Sequence, residues 1–160
     1  MRWTCSTTIP EVRVEFPGTA AHSYRYLTDP RNRAHWQSSL RGIQRLTTVG
    51  EGSPGSAGTT WRDVTMVPGM APRMEVTVDD PPHRWTEIGR WGVVDASLTL
   101  TFTERSDAED AGTLVRAQAT LSLPVFLRPA LPILRLVVPQ ALSADLRKAT
   151  RLIGAAGDNG

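Results

Sequence analysis

Lysine is nearly missing from this chain of 160 residues: Lys148 is the only one, and every other basic side chain is an arginine. The arginines are scattered among acids, so the net charge is only +2. Proteins that grip nucleic acid gather their cations into a patch or stripe, and no such partner is expected here. Cysteine is missing too, apart from Cys5, which removes a disulfide framework and a thiolate metal site. His22, His35 and His83 have no metal-ligand spacing among themselves, and no cysteine or Glu pair completes a set. There is no G-x-S-x-G elbow and no evident base beside Cys5, which argues against covalent catalysis. The opening MRWTCSTTIPEVRVEF lacks the apolar run of a signal peptide. The longest greasy stretch, Leu131 to Leu142, is broken by Arg135 and reads as too short and too charged to span a bilayer. These absences together predict a cytoplasmic protein with no metal or nucleotide cofactor.

The residues present have a clear order. With 40% hydrophobic and 21% charged residues, the composition is that of a globular domain. Its length suits one domain with a core over about residues 10–154 and a flexible tail over 155–160. Val12, Val14 and Phe16 alternate with polar neighbours, as in a half-buried strand. Thr19 is placed to cap a short helix over Ala20 to Thr28. Asp29-Pro30 ends it, since the residue before proline is pushed from helical geometry. Pro30 can open a second short helix with Asp29 as its N-cap, delivering Trp36 to the interior. Six strands are then expected: Leu40 to Val49, Thr59 to Met66, Arg73 to Asp79, Arg84 to Trp91, Ala96 to Glu104 and Thr113 to Leu123. Short turns between them imply an antiparallel meander. From Val125 onward Leu127, Leu131, Leu134, Val138, Leu142, Ala149 and Ile153 form a helical stripe, with Pro139 expected to kink or interrupt the helix. This α+β order wraps a sheet around one long helix, and a pocket remains wherever the two fail to touch.

YLTDPRNRAHW, GTTWRDV, VDDPPHRW, AGTLVRAQATLSL and ALSADLRKATRLI stand in an order that resembles the SRPBCC (START-like) superfamily, most of all its bacterial polyketide cyclase/dehydrase branch. The likeness runs from about Val12 to Ile153. It implies a helix-grip fold, with a seven-stranded antiparallel sheet around the C-terminal helix and a deep cavity between them. It also implies an apolar ligand: members bind lipids, hormones or polyketides, and some catalyse cyclisation or dehydration.

Gly50 to Gly55, GEGSPG, matches a dinucleotide fingerprint literally. A strand rather than a helix follows, so it reads as a hairpin loop that could gate a cavity. Strand alternation puts Trp61, Asp63 and Thr65 on one face and Arg62, Val64 and Met66 on the other, without saying which face is inward. Trp85, Glu87 and Trp91 share a face. Glu87 is there either a carboxyl in an apolar wall or an exposed acid paired with a cross-strand arginine. Met74 and Leu100 are expected inward, and Ala117 and Ala119 would leave space as a cavity floor. Met66 and Met74 flank a loop that could adapt to a ligand. Tyr26 stands where the resembled family carries an aliphatic residue, so a buried hydroxyl there would need a partner.

The expected activity is cofactor-independent cyclisation or dehydration of a polyketide or related secondary metabolite, by proton transfer in an apolar pocket. Glu87 or Asp63 would move the proton, and Arg62 or Tyr26 would steady the enolate oxygen. His35, Trp36, Trp61, Met66, Met74, Trp85, Trp91, Leu100, Ala117, Ala119, Leu134 and Val138 would line the ligand site. The alternative is a non-catalytic carrier or sensor of a hydrophobic ligand, and either would be a monomer or homodimer. Membrane docking through the last helix would need its stripe to face solvent and leave the sheet uncovered, which argues against it.

Overall fold

The computed structural model describes residues 3–106, 109 and 111–157. Eight strands form one antiparallel sheet: β1 (Thr4–Thr8), β2 (Val12–Pro17), β3 (Leu40–Thr47), β4 (Thr60–Thr65), β5 (Arg73–Asp80), β6 (Arg84–Trp91), β7 (Val94–Arg105) and β8 (Gly112–Pro124). The order across the sheet is β1-β8-β7-β6-β5-β4-β3, and β2 also pairs with β8. Seven of these follow the expected runs. The addition is β1, whose TCSTT carries no apolar alternation. It lies on the same edge of β8 as β2, because Thr4 pairs with Pro124 and Val12 with Ala117. Pro10 lacks an N–H and interrupts this edge between the two strands. Ile9 bridges the break, donating to the Ala119 carbonyl (2.8 Å) and accepting from the Gln118 side chain (2.6 Å).

Between β2 and β3 lie α1 (Ala20–Thr28), a 3-10 turn (Pro30–Asn32) and α2 (Arg33–Trp36). The caps are those the residues dictate: the Thr19 hydroxyl accepts from the His22 N–H and the Asp29 carboxylate from the Arg31 N–H. Trp36 is 1% exposed, so α2 does carry it into the core.

After a 3-10 turn (Val125–Ala130) comes α3 (Leu131–Gly157), which runs unbroken through Pro139. Residues 158–160 of the expected tail lie outside the described residues. The helix is divided by its packing. Leu146, Ala149 and Ile153 are buried in the same core as Val12, Phe16, Trp61 and Phe102. In the first half Leu131, Leu134, Val138 and Leu142 are only half-buried, and Ile133, Leu136 and Val137 are exposed. The stripe grips the sheet along its second half, and along its first half the helix and sheet fail to touch. Ser38, just past α2, donates through its N–H (3.1 Å) and hydroxyl (2.8 Å) to Asp145, at the boundary between the halves. By length and composition Val125–Gly157 would suffice to cross a bilayer, unlike the shorter stretch judged from sequence. Its second half is nonetheless a core helix.

Candidate functional site

A cavity of about 370 Å³ opens where the first half of α3 stands off the sheet. That volume lies in the range used for small organic ligands. Its walls are mostly apolar: Met74 from β5, Leu98 from β7, Ala119 and Leu121 from β8, and Val137, Val138, Ala141 and Leu142 from α3. Gly89 on β6 belongs to the same wall, and a Cβ there would lie 2.8 Å from the Met74 sulfur. At one end the wall turns polar through Arg33, Gln37, Glu87 and Asp145.

Arg33 is the centre of that polar end. It sits three residues before Trp36 on the single turn of α2, so the turn that buries the indole buries the guanidinium too. Its Nη1 donates to Glu87 Oε2 at 2.6 Å and its Nη2 to Asp63 Oδ2 at 3.2 Å. The three side chains are each about 5% exposed or less. Trp61 completes the cluster from β4: its indole N–H donates to Asp63 Oδ1 at 2.8 Å, and its ring lies 5.2 Å from the Arg33 Cζ.

One cation thus faces two buried carboxylates, and it can neutralise only one. Burial pushes the Glu87 carboxyl above its ordinary range, Arg33 pulls it back in part, and the charge of Asp63 adds to the rise. For Arg33 burial works against the charged form, but the two carboxylates more than offset it, and the guanidinium stays charged. Asp63 has the indole as a second donor, whereas Glu87 accepts from Arg33 alone among the described residues. Glu87 is therefore the carboxyl suited to hold a proton, and it stands on the cavity wall. The Nε–H of Arg33 is buried and has no acceptor among the described residues.

The structure brings some of the sequence-derived candidates together and scatters others. Glu87, Met74, Ala119 and Val138 line the cavity, and Asp63 and Trp61 lie directly behind it. Arg62 is on the opposite, exposed face of β4, away from the cavity. Tyr26 is half-buried against the core, its hydroxyl raised by burial but unbonded among the described residues. Neither is positioned to steady an oxygen beside Glu87. Tyr24 is the more buried of the two tyrosines, and its hydroxyl donates to Asp79. Trp36, Trp85, Leu100 and Ala117 are core residues outside the cavity wall, and Leu134 is half-buried and also not part of that wall. His35, Met66 and Trp91 are exposed. The GEGSPG loop is no gate: Gly55 is buried, its carbonyl accepting from the Trp85 indole at 2.9 Å, and the loop does not border the cavity. Arg33 was missed, although its spacing from Trp36 was legible.

Over residues 8–154 the sequence matches the model of a family described as polyketide cyclase / dehydrase and lipid transport. Solved structures repeat the fold at low identity. A norcoclaurine synthase point mutant from Thalictrum flavum, in complex with a transition-state analogue, superposes with a TM-score of 0.66 at 17% identity, covering 96% of this chain and 98% of that one. A protein from Thermus thermophilus gives 0.68 at 21%, covering 92% and 99%. One from Geobacillus kaustophilus gives 0.62 at 17%, covering 91% and 95%. No curated protein matches the chain.

Proposed function

The chain belongs to the polyketide cyclase/dehydrase and lipid transport family, and from that premise we propose that it catalyses cyclisation, with or without loss of water, of a mostly apolar polyketide-like substrate. One observation carries this reading: Glu87, a carboxyl raised by burial, stands on the wall of an apolar cavity beside a charged arginine. In its ionised form Glu87 takes a proton from a carbon between two carbonyl groups. The electron pair left behind becomes an enolate, whose oxygen the charged guanidinium of Arg33 stabilises from the polar end of the cavity wall. The enolate carbon attacks a second carbonyl of the same chain, closing the ring. Glu87 returns its proton to the resulting alkoxide, giving a hydroxyl. Where water is lost, Glu87, ionised again, takes a second proton from the newly bonded carbon and delivers it to that hydroxyl, which leaves as water while the C=C bond forms. The cavity walls fold the substrate so that the reacting carbons meet. That a norcoclaurine synthase of this fold is known in complex with dopamine and hydroxybenzaldehyde supports a small, partly aromatic occupant.

The test is turnover of linear poly-β-ketone esters by the protein and by Glu87→Gln. Loss of about 10²-fold or more in kcat, with ligand affinity within a few-fold, is the expected result. The second reading is a hydrophobic-ligand carrier. It is favoured by the closed pairing of Arg33 with both carboxylates, which a purely structural cluster would also show. It predicts ligand binding without turnover in either protein.

A further inference from the structure

The half of α3 that fails to grip the sheet exposes a face that the cavity chemistry does not require. Ile133, Leu136 and Val137 stand at helical spacing on that face, with exposures of 65%, 64% and 52%. Phe126, in the turn before α3, is 76% exposed. Three further exposed residues come to the same end of the molecule. Trp3 is there because its carbonyl accepts from the Val125 N–H at 2.9 Å. The β6–β7 hairpin tip, with Trp91 and Val93, is there because Asp95 pairs with Ser122 near the end of β8.

We propose that this end of the molecule docks onto a lipid bilayer with anionic headgroups, lying in the interface rather than crossing it. Three features favour that occupant. The exposed apolar residues include two tryptophans and a phenylalanine, side chains suited to the boundary between headgroups and acyl chains. The charge is complementary: residues 121–144 contain Arg128 and Arg135 and no acid. The carboxylate at the hairpin tip, Asp95, is offset by Arg90 at 4.0 Å and leaves that balance unchanged. Finally, Val137 and Ala141 belong to the exposed face and also border the cavity. Docking would bring the cavity mouth to the bilayer, from which an apolar ligand could enter without passing through water. The helix does not span, because Leu146 and Ala149 are fully buried in the core.

This inference stands apart from proton transfer at Glu87. The experiment is co-sedimentation of the purified protein with vesicles of phosphatidylcholine alone and of phosphatidylcholine mixed with phosphatidylglycerol, at low and high salt. The protein is expected to pellet with the anionic vesicles at low salt and far less at high salt. Phe126→Ser combined with Ile133→Ser should weaken that association at least about tenfold, and Arg128→Gln with Arg135→Gln about twentyfold. Circular dichroism should show both variants folded, since all four residues are exposed. Glu87→Gln should bind vesicles as the parent does, so that docking and catalysis fail separately. Absence of low-salt association would overturn the proposal, and so would association that the apolar variant keeps in full. A stable dimer in sedimentation equilibrium, lost in the apolar variant, would give the face to a second copy and overturn it as well.

Discussion

At the scale of single residues, the arrangement turns on an imbalance of one buried cation against two buried carboxylates. Removing the cation and removing one carboxylate should therefore have opposite weights. Arg33→Met leaves Asp63 and Glu87 uncompensated and should cost about 3–5 kcal/mol at neutral pH, less in acid, where Glu87 is protonated. Glu87→Gln leaves Arg33 and Asp63 in a one-to-one pair and should change stability by less than about 1 kcal/mol. Chemical denaturation of both variants checks the contrast, and equal losses would show that the cluster is not charge-limited. The pH dependence follows from the same imbalance. The folded-state pKa of Glu87 is raised above the ordinary value of 4.5. Its folded form thus binds a proton more tightly than its unfolded form does. The stability it contributes is full below about pH 4.5 and is lost as pH rises through the raised value. Glu87→Gln lacks that loss, so its stability relative to the parent should improve on going from about pH 4 to about pH 8. A flat difference between the two would place the proton elsewhere.

At the scale of elements, packing divides what sequence presents as uniform. The apolar positions of α3 recur from Leu131 to Ile153, yet burial separates Leu146 at 0% from Leu136 at 64%. Leu146→Ala should cost about 2–5 kcal/mol, whereas Leu136→Ala should fall within about 0.5 kcal/mol. Thermal unfolding of the pair measures how far the core extends along the helix. The GEGSPG loop is a comparable case, since its glycines fit several roles until the partners are known. A Cβ on Gly55 would lie 2.8 Å from the Thr28 carbonyl oxygen, a backbone atom at the end of α1 that cannot swing aside. Gly55→Ala should therefore cost about 1–3 kcal/mol, seen as a lowered denaturation midpoint, and a neutral result would show that the contact is looser than this. What sequence made legible was local: caps, turns and strand alternation placed α1, α2, β2 and β3 to β8 within a few residues. The strand β1 was hidden because TCSTT has no pattern of its own and is held by pairing with the far end of β8. A length comparison would have exposed it, since the expected β8 outran the strand beginning at Val12. Arg33 was hidden for another reason. Arginines are ordinarily solvated, and only its fixed spacing from an inward tryptophan marks this one as buried.

At the scale of the whole molecule, the cavity exists because the grip of α3 is incomplete. The sheet and the second half of the helix supply the hydrophobic core, and the first half is freed to form one wall. Ala119 is on the opposite wall, and its small side chain is part of what leaves the space of about 370 Å³. Ala119→Phe should fill much of that space without entering the core behind Leu146. A ligand at about one hundred times its dissociation constant stabilises the protein that binds it by about 2.7 kcal/mol. For a domain of this size that corresponds to a rise in Tm of about 5–10 °C. The parent should show such a rise with fatty acyl or polyketide-like probes and should yield a co-purifying apolar species in native mass spectrometry. Ala119→Phe should show neither, while unfolding at or above the temperature of the ligand-free parent. Retention of the full ligand shift in this variant would place the binding site outside the cavity, and Glu87 with its arginine would then be a buried ion cluster of the core.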